Sequence, residues 1–471
     1  MKRQLSILLH LLILLALSAC GIVPASPSPV PSPTATIQPP WLPDPVEEVG
    51  SCSSGEVAAP DVVDTWSPPP EAASITPLSC DEIGEVFAYD SQAPLDVQEV
   101  RRRQEEGVTI IDLTYASPMG GRVPATLVIP DGAGPFAGML YQHGMPSTRQ
   151  PMIPAAVNYA RMGAVVLLID APFARRPNGM NAALRFTEQD RREQIQLIVD
   201  LRRGVDLLLS RPEVDPERLA YVGTSYGGAM GGLLAGVEDR LKAYVLQVGD
   251  GGLVTHFTGR EDRAAWLARP EDERRQWVEW MWPIEPIHYI GCASPAALLF
   301  QNGTLDALVP PADGLRYQEA GSEPKTVCWY RAGHALDATA YHDQAEWLSE
   351  TIGISVGWLA VPVDPQVLAA YAGRYQFSND IVVTIRVDGA RIFMQVPNQG
   401  EYELLARSES RFFPFVFGAE IIFHRNDSGE VDRIEAVVDG ATLEAKKVPY
   451  LEVCHEGYGS GAFRCEEKRR R

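Results

Sequence analysis

The chain has 471 residues, of which 45% are hydrophobic and 22% are charged, and its formal net charge is −20. This length predicts two folded units with tails, and the composition is that of a globular protein able to bury a sizeable core. The excess of negative charge argues against nucleic acid and anionic lipid headgroups as partners, because both would be repelled.

The first twenty residues form a targeting segment. Lys2 and Arg3 precede an apolar run at 5–17, which is too short to span a bilayer as a stable helix. The run ends in Leu17-Ser-Ala-Cys20-Gly, which resembles the lipobox of bacterial lipoprotein signal peptides. The resemblance implies cleavage before Cys20 and an exported protein, lipid-anchored through that thiol at the outer face of the bacterial cell membrane or at the cell surface. A plain secretory signal is the alternative.

Residues 21–48 are rich in Pro, Ser and Thr and predict an extended tether, and residues 49–99 predict an irregular lead-in. Beyond Cys20 six cysteines remain, an even number that suggests disulfides in an exported protein: Cys52, Cys80, Cys292, Cys328, Cys454 and Cys465. Neighbours in the chain make the simplest pairs, Cys52 with Cys80 and Cys292 with Cys328. A metal site is the competing interpretation, but no closely spaced Cys or His group supports it.

Between residues 100 and 355, short apolar runs alternate with helical stretches. We expect strands at 108–115, 123–129, 137–141, 164–169, 219–222, 243–248, 296–300 and 326–330. We expect helices at 155–161, 191–209, 229–237, 311–320 and 337–352. Such alternation indicates a mostly parallel, eight-stranded sheet flanked by helices, which opens with an antiparallel hairpin. The strand order resembles the core of the α/β-hydrolase fold.

Residues 362–450 contain short alternating segments separated by turn signals, which predict a small all-β domain, either a barrel or a sandwich. The run Tyr371-Ala-Gly-Arg-Tyr375, with later Phe412 and Phe423, resembles a small β domain often appended to serine hydrolases of the β-lactamase-related kind. The resemblance implies a role in packing, oligomerisation or substrate approach. Residues 451–471 form a basic, cysteine-containing tail.

The strand at 219–222 runs into Gly223-Thr-Ser225-Tyr226-Gly227 and then into a helix-forming stretch. Glycines on both sides of Ser225 permit a tight turn that lifts the serine hydroxyl above the sheet. The backbone N–H of Tyr226 would then point at a developing oxyanion from a helix N-terminus. A structural glycine-rich turn with a surface serine is the alternative.

A serine hydroxyl needs a base to become nucleophilic. Asp306 follows the strand at 296–300 and His334 follows the strand at 326–330, in the order Ser, Asp, His that this fold uses. His334 would shuttle the proton, and Asp306 would hold its imidazole in the right tautomer. His342 is a reserve candidate for the base, but it falls inside a predicted helix.

A second oxyanion donor should come from the turn after the strand at 137–141. The turn reads Gln142-His-Gly-Met-Pro146 and resembles the His-Gly-x-Pro turn of the α/β-hydrolase superfamily, which implies that the N–H of Met145 is the donor. We interpret His143 as a structural turn histidine and Asp170, at the end of the next strand, as a structural acid.

The segment 250–290 is an insertion too long for a simple crossover. It carries Trp266, Trp277, Trp280 and Trp282 among many charges. In this superfamily such an insertion often forms a lid, and the tryptophans could line an acyl or sugar pocket. Equally, they could pack one face of an amphipathic helix on the core.

The catalytic part of the chain resembles the dienelactone hydrolase, acetyl xylan esterase and prolyl-oligopeptidase-like branch of the α/β-hydrolases. The stretch 200–235, in which Val214-Asp-Pro-Glu-Arg-Leu219 leads into the turn at Ser225, is typical of that branch. Position 225 is serine, whereas dienelactone hydrolases use cysteine. The resemblance implies a serine esterase that acts on a small-molecule or carbohydrate ester and needs neither a metal nor another cofactor. A serine peptidase using the same triad is the first alternative. A vestigial hydrolase that acts as a surface binding protein is the second.

Overall fold

A computed structural model describes the chain except for residues 1–49, 55–59, 106, 177–183, 260–262, 337, 356–359, 378–380, 398–400, 417, 439–440, 450–453, 457–462 and 466–471. The chain divides into a large unit, Met1–Leu359, and a small unit, Ala360–Arg471. The predicted signal peptide, the lipidation site Cys20 and the tether at 21–48 lie outside the described residues. Of the helices that are described, none has the length and apolar character needed to cross a membrane.

The large unit is built on one mixed sheet, which has ten strands among the described residues. The strands are β1 Gly50–Ser54, β2 Gln98–Glu105, β3 Val108–Ala116, β4 Arg122–Pro130, β5 Phe136–Gln142, β6 Ala164–Ile169, β7 Val214–Thr224, β8 Ala243–Gln247, β9 Ala297–Gly303 and β10 Lys325–Tyr330. Their order is β1-β10-β9-β8-β7-β5-β6-β4-β3-β2. The six central strands, β5 to β10, run parallel to one another. The other four strands, β1 to β4, pair antiparallel with their neighbours.

All eight predicted strands are present, and β1 and β2 extend the sheet at its two edges. The predicted count of eight strands was therefore too low. β6 and β8 are buried at every position, which explains their continuous apolar runs. β2 is exposed at nearly every position and carries Arg101, Arg102 and Arg103, so it lacks the apolar pattern of a strand.

Helices cover the sheet, and each of the five predicted helices is present. The helices of the large unit are α1 Cys80–Val86, α2 Ile153–Arg161, α3 Glu188–Leu209, α4 Tyr226–Ala235, α5 Leu253–Phe257, α6 Ala264–Leu267, α7 Glu271–Met281, α8 Pro311–Ala320 and α9 Ala338–Ile352. Short 3-10 turns lie at Pro70–Ala72, Gln150–Met152, Pro172–Arg175, Trp282–Ile284, Pro286–His288 and Ile290–Cys292. A capping box of Thr187 and Asp190 begins α3, the longest of these helices.

A disulfide joins Cys80, at the start of α1, to Cys292, just before β9, with a Cα–Cα distance of 6.0 Å. The expected pairs Cys52–Cys80 and Cys292–Cys328 were therefore wrong. The fold brings α1 against the end of the insertion, although 212 residues separate the two cysteines in sequence. In the backbone register, Cys328 on β10 lies opposite Cys52 on β1.

The small unit is a closed barrel, so of the two predicted all-β forms the barrel is correct. A short helix, α10 Pro365–Tyr371, leads into the strands β11 Gly373–Phe377, β12 Val382–Asp388, β13 Arg391–Gln395, β14 Glu401–Ala406, β15 Arg411–Pro414, β16 Ala419–Arg425, β17 Val431–Val438 and β18 Ala441–Val448. β18 pairs with β11 and closes the barrel. Tyr371 stacks on Phe423 in its core, with 4.1 Å between ring centroids. In the tail, β19 Cys454–Glu456 pairs with β20 Phe463–Cys465.

Candidate active site

Ser225 lies on the sharp turn between β7 and α4. Its backbone has φ 57° and ψ −118°, a region that a residue with a side chain rarely adopts. Two backbone hydrogen bonds hold the turn: the Ser225 N–H donates to the Gln247 carbonyl at 2.8 Å, and the Ala229 N–H donates to the Ser225 carbonyl at 2.9 Å. The turn therefore fixes the direction in which the hydroxyl leaves the backbone.

The glycines on each side of Ser225 are required by close backbone approach. A Cβ on Gly223 would lie 2.3 Å from the Gly227 carbonyl oxygen, and a Cβ on Gly227 would lie 2.4 Å from the Gln142 carbonyl oxygen. The Tyr221 hydroxyl donates to the Gly227 carbonyl at 2.6 Å and braces the same turn. Only glycine fits either position without displacing the backbone.

Ser225, His334 and Asp306 form one hydrogen-bonded chain. His334 Nε2 lies 2.9 Å from Ser225 Oγ, and His334 Nδ1 lies 2.8 Å from Asp306 Oδ2. Asp306 is buried, and its other oxygen accepts hydrogen bonds from the backbone N–H groups of Leu308 and Val309 at 2.8 and 2.9 Å. These bonds fix the carboxylate, which in turn orients the imidazole toward the serine hydroxyl. The structure thus brings together the three residues that sequence reasoning selected from three separate loops.

The reserve histidine, His342, lies on α9 and its Nε2 is 3.1 Å from a carboxylate oxygen of Glu346, one turn further along that helix. This pair is the i,i+4 arrangement of a helix surface. His334 is therefore the histidine that the fold presents to Ser225.

The turn after β5 packs directly on the serine. A Cβ on Gly144 would lie 3.0 Å from the Ser225 Cβ, so glycine allows this contact. Met145, the next residue, and Tyr226 line the same cavity as Ser225. Both residues expected to supply oxyanion donors are therefore at the site.

His143 and Asp170 hold this turn from beneath. His143 is fully buried, its Nδ1 lies 2.8 Å from the Gly144 carbonyl oxygen, and its Nε2 accepts the Ala171 N–H at 3.0 Å. Burial lowers the His143 pKa to about 4, so the ring is neutral near pH 7. Asp170 accepts the Arg149 N–H at 2.9 Å and pairs with the Arg149 guanidinium. Both residues have the structural surroundings expected from the sequence.

A cavity of about 310 Å³ opens beside Ser225. Most of its wall is apolar and comes from Met145, Pro146, Leu184, Tyr226, Ala229, Leu253, Phe257 and Val309. The wall also carries the ionisable side chains of Asp250 and His256. The serine therefore faces a small, largely apolar chamber with a second polar patch.

The tryptophans of the insertion pack into the core. Trp266, Trp277 and Trp282 are buried in the hydrophobic core of the large unit, and the Trp277 indole N–H donates to Asp190 at 3.0 Å. Of the two interpretations left open by the sequence, packing describes these side chains. The part of the insertion that reaches the cavity is α5 together with the loop before it.

Asp250 and His256 are functional candidates that sequence reasoning missed. His256 Nδ1 lies 2.6 Å from Asp250 Oδ2. Burial alone would lower the His256 pKa, but the charge of Asp250 and its hydrogen bond outweigh burial and raise it above its usual value. The available signal was Asp250-Gly-Gly, three residues after the end of β8, with a histidine six residues after Asp250.

Glu285 supports α5 from inside the protein. Its side chain is fully buried, and one carboxyl oxygen accepts the Thr255 N–H at 2.7 Å. Burial raises the Glu285 pKa from 4.5 to about 8. Because burial disfavours the charged form, the Glu285 carboxyl is largely protonated at neutral pH.

Comparison with known proteins bears on the fold and the family of the large unit. The model of the prolyl oligopeptidase family matches residues 184–354. Acetyl xylan esterase 1 from Thermoanaerobacterium sp. JW/SL YS485 superposes with a TM-score of 0.50 at 18% identity, covering 60% of this chain and 95% of that one. The large unit has the α/β-hydrolase fold, and within it residues 184–354 are similar to the prolyl oligopeptidase family. Both the fold and the resemblance expected from the sequence are thus confirmed.

Further matches concern parts of the chain. The uncharacterized peptidase YuxL of Bacillus subtilis strain 168 is 28% identical over 152 residues, which are 31% of this chain and 23% of that protein. The chain thus spans about a quarter of the length of this curated relative. An acetyl xylan esterase from Paenibacillus sp. R4 superposes with a TM-score of 0.46 at 20% identity, covering 58% of this chain and 93% of that one. Residues 360–447 match a domain of unknown function, DUF3471.

Proposed function

We propose that the protein is a serine hydrolase that cleaves carboxylic esters through an acyl-enzyme on Ser225. His334 is the general base, and Asp306 orients it. The observation that carries this proposal is the chain of hydrogen bonds from Ser225 Oγ through both ring nitrogens of His334 to Asp306, at 2.9 and 2.8 Å. This arrangement, with the hydroxyl opening onto a cavity, is what acyl transfer by serine requires.

The proposed reaction has two halves. His334 takes the proton of Ser225 as the oxygen attacks the ester carbonyl, and the N–H groups of Tyr226 and Met145 stabilise the resulting oxyanion. The intermediate collapses, the alcohol leaves with the proton from His334, and the acyl group stays on Ser225. Water, deprotonated by His334, then attacks the acyl-enzyme, which releases the acid and restores the serine hydroxyl.

Two observations favour an ester over a peptide. The cavity is small and mostly apolar, which suits a short acyl group better than a folded-back peptide chain. The superposition with an acetyl xylan esterase covers 95% of that chain, whereas the match to the YuxL peptidase covers 23% of that protein. Peptide cleavage by the same residues is the second candidate, which the prolyl oligopeptidase family match favours.

The experiment compares p-nitrophenyl esters of increasing acyl length with peptide p-nitroanilides. Wild type should hydrolyse the short esters, and Ser225→Ala should lower kcat by roughly 10⁴-fold or more, because no nucleophile remains. Ser91→Ala, a change at an exposed serine, is the matched control. Faster turnover of the anilides would replace the esterase proposal with the peptidase. Undiminished ester hydrolysis by Ser225→Ala would exclude both, and no turnover by wild type would favour the vestigial binding protein.

We also propose that the protein is exported and anchored through lipidated Cys20. The sequence motif supports this, and the Cys80–Cys292 disulfide is typical of an oxidising compartment. Cys20→Ala should move the protein from the membrane fraction to the soluble fraction and abolish incorporation of labelled palmitate. Unchanged fractionation and labelling of that variant would contradict the anchor.

A further inference from the structure

The second polar patch of the cavity is a hydrogen-bonded pair, Asp250 and His256. Asp250 and His256 both line the cavity that contains Ser225, and their side chains join through Nδ1 and Oδ2 at 2.6 Å. The Asp250 side chain is only 5% exposed, whereas the His256 side chain is 25% exposed. The aspartate is thus the hidden partner, and the imidazole is the part that a ligand can reach.

Several contacts fix where this imidazole sits. Asp250 Oδ1 accepts the Gly252 N–H at 3.2 Å, which holds the loop that enters α5. Gly252 has φ 121°, and a Cβ there would lie 2.3 Å from Pro286 Cδ, so the loop passes where only glycine fits. The Glu285 carboxyl accepts the Thr255 N–H at 2.7 Å, one residue before His256. A five-residue helix would otherwise be free to shift, and these anchors give its histidine a defined position.

The remaining ring nitrogen has the chemistry of a ligand contact. Among the described residues, the side chain of His256 contacts a hydrogen-bond partner through Nδ1, which meets Asp250, and Nε2 has none. Since Nδ1 is engaged with Asp250, Nε2 accepts a hydrogen bond when the ring is neutral and donates one when the ring is protonated. A hydroxyl group can satisfy either form, because it both donates and accepts. An alkyl group in the same place would leave the nitrogen without a partner.

We propose that His256, held by Asp250, is a specificity-determining residue that binds a hydroxyl group of the substrate beside the scissile ester. This inference rests on the proposed ester hydrolysis at Ser225 and narrows it to esters that carry a hydroxyl on the acyl or the alcohol side. The apolar wall of the cavity receives the rest of that group, and the imidazole supplies the polar contact.

The experiment uses pairs of esters in which a terminal methyl is replaced by a hydroxyl of similar size. For the acyl side the pair is p-nitrophenyl butyrate and p-nitrophenyl 3-hydroxypropanoate. For the alcohol side the pair is propyl acetate and 2-hydroxyethyl acetate. The readout is the ratio of kcat/KM for the hydroxyl member to that for the methyl member, which reports on discrimination and is insensitive to a general loss of active protein.

Wild type should prefer the hydroxyl member by about tenfold or more in one pair, as expected for a hydrogen bond whose nitrogen would otherwise be unpaired. The pair that shows the preference identifies the side of the ester that His256 contacts. His256→Phe keeps a ring of similar size. In this variant the kcat/KM ratio of the preferred pair should fall close to the ratio that the other ester pair gives. His256→Gln, which keeps a group that donates and accepts, should restore part of it. His342→Phe is the control and should retain the wild-type ratio.

The inference is overturned if wild type shows no hydroxyl preference in either pair, or if His256→Phe retains that preference. Either result would leave Ser225-dependent ester hydrolysis standing. If instead Ser225→Ala hydrolyses the esters as wild type does, the proposed function fails and this inference with it. Should His256→Phe not fold, the ratio in His256→Gln and in Asp250→Asn decides, since both should lower it.

Discussion

Replacing Glu285 with glutamine should flatten the pH dependence of the stability of the large unit. The Glu285 carboxyl is fully buried, and burial raises its pKa from 4.5 to about 8. Because the folded state holds this proton more tightly than the unfolded state, the free energy of unfolding falls as the pH rises between these two values. At about 1.4 kcal/mol for each pKa unit, this group should cost roughly 3–4 kcal/mol between about pH 5 and about pH 8.

The assay is urea denaturation followed by tryptophan fluorescence. Residues 360–471 contain no tryptophan, so the signal reports on the large unit. The wild-type midpoint should fall from about pH 5 to about pH 8, and that of Glu285→Gln should fall much less, because the amide does not titrate in this range. Glu319→Gln, at an exposed position on α8, should follow wild type. A wild-type midpoint that rises over this range, or a Glu285→Gln variant with the wild-type slope, would refute the reasoning.

Three further changes test the elbow, the triad and the disulfide. Gly227→Ala should abolish ester turnover and lower the denaturation midpoint, because its Cβ would lie 2.4 Å from the Gln142 carbonyl oxygen; wild-type turnover would show that the turn can relax. Asp306→Asn should lower kcat for p-nitrophenyl acetate by about 10³–10⁴-fold with an unchanged circular dichroism spectrum, because the imidazole loses its orienting carboxylate. A loss of less than tenfold would remove Asp306 from that role. Serine at both Cys80 and Cys292 should lower the free energy of unfolding by roughly 2–5 kcal/mol, because the crosslink restricts the unfolded chain. An unchanged urea midpoint would contradict this.

The sequence predicted the parts of the sheet whose burial leaves a pattern. Strands covered on both faces, such as β6, need apolar residues at every position, so they appear in the sequence as continuous apolar runs. The edge strands lack such a requirement. β2 is exposed and charged, and β1 reads Gly-Ser-Cys-Ser-Ser, so only pairing with β3 and β10 defines them as strands.

The proximity of Ser225, Asp306 and His334 could be predicted because the fold fixes where these three loops lie. Ser225 follows β7, and Asp306 and His334 follow the ends of β9 and β10, so parallel strands deliver all three to one edge of the sheet. No comparable rule predicts the Asp250–His256 pair. Its geometry depends on how the insertion folds, with the Glu285 side chain accepting a hydrogen bond from Thr255. The disulfide pairing was missed for the same reason, since Cys80 and Cys292 are neighbours only in space.

The proposed ester hydrolysis requires a serine hydroxyl activated at position 225. A fluorophosphonate tests for such a hydroxyl directly, because it forms a covalent adduct with an activated serine. The test needs no knowledge of the natural substrate. Peptide mass spectrometry of the labelled wild type should find one adduct, on Ser225, and His334→Ala should form it far more slowly. An adduct on a different residue, or equal labelling of Ser225→Ala, would contradict the proposal.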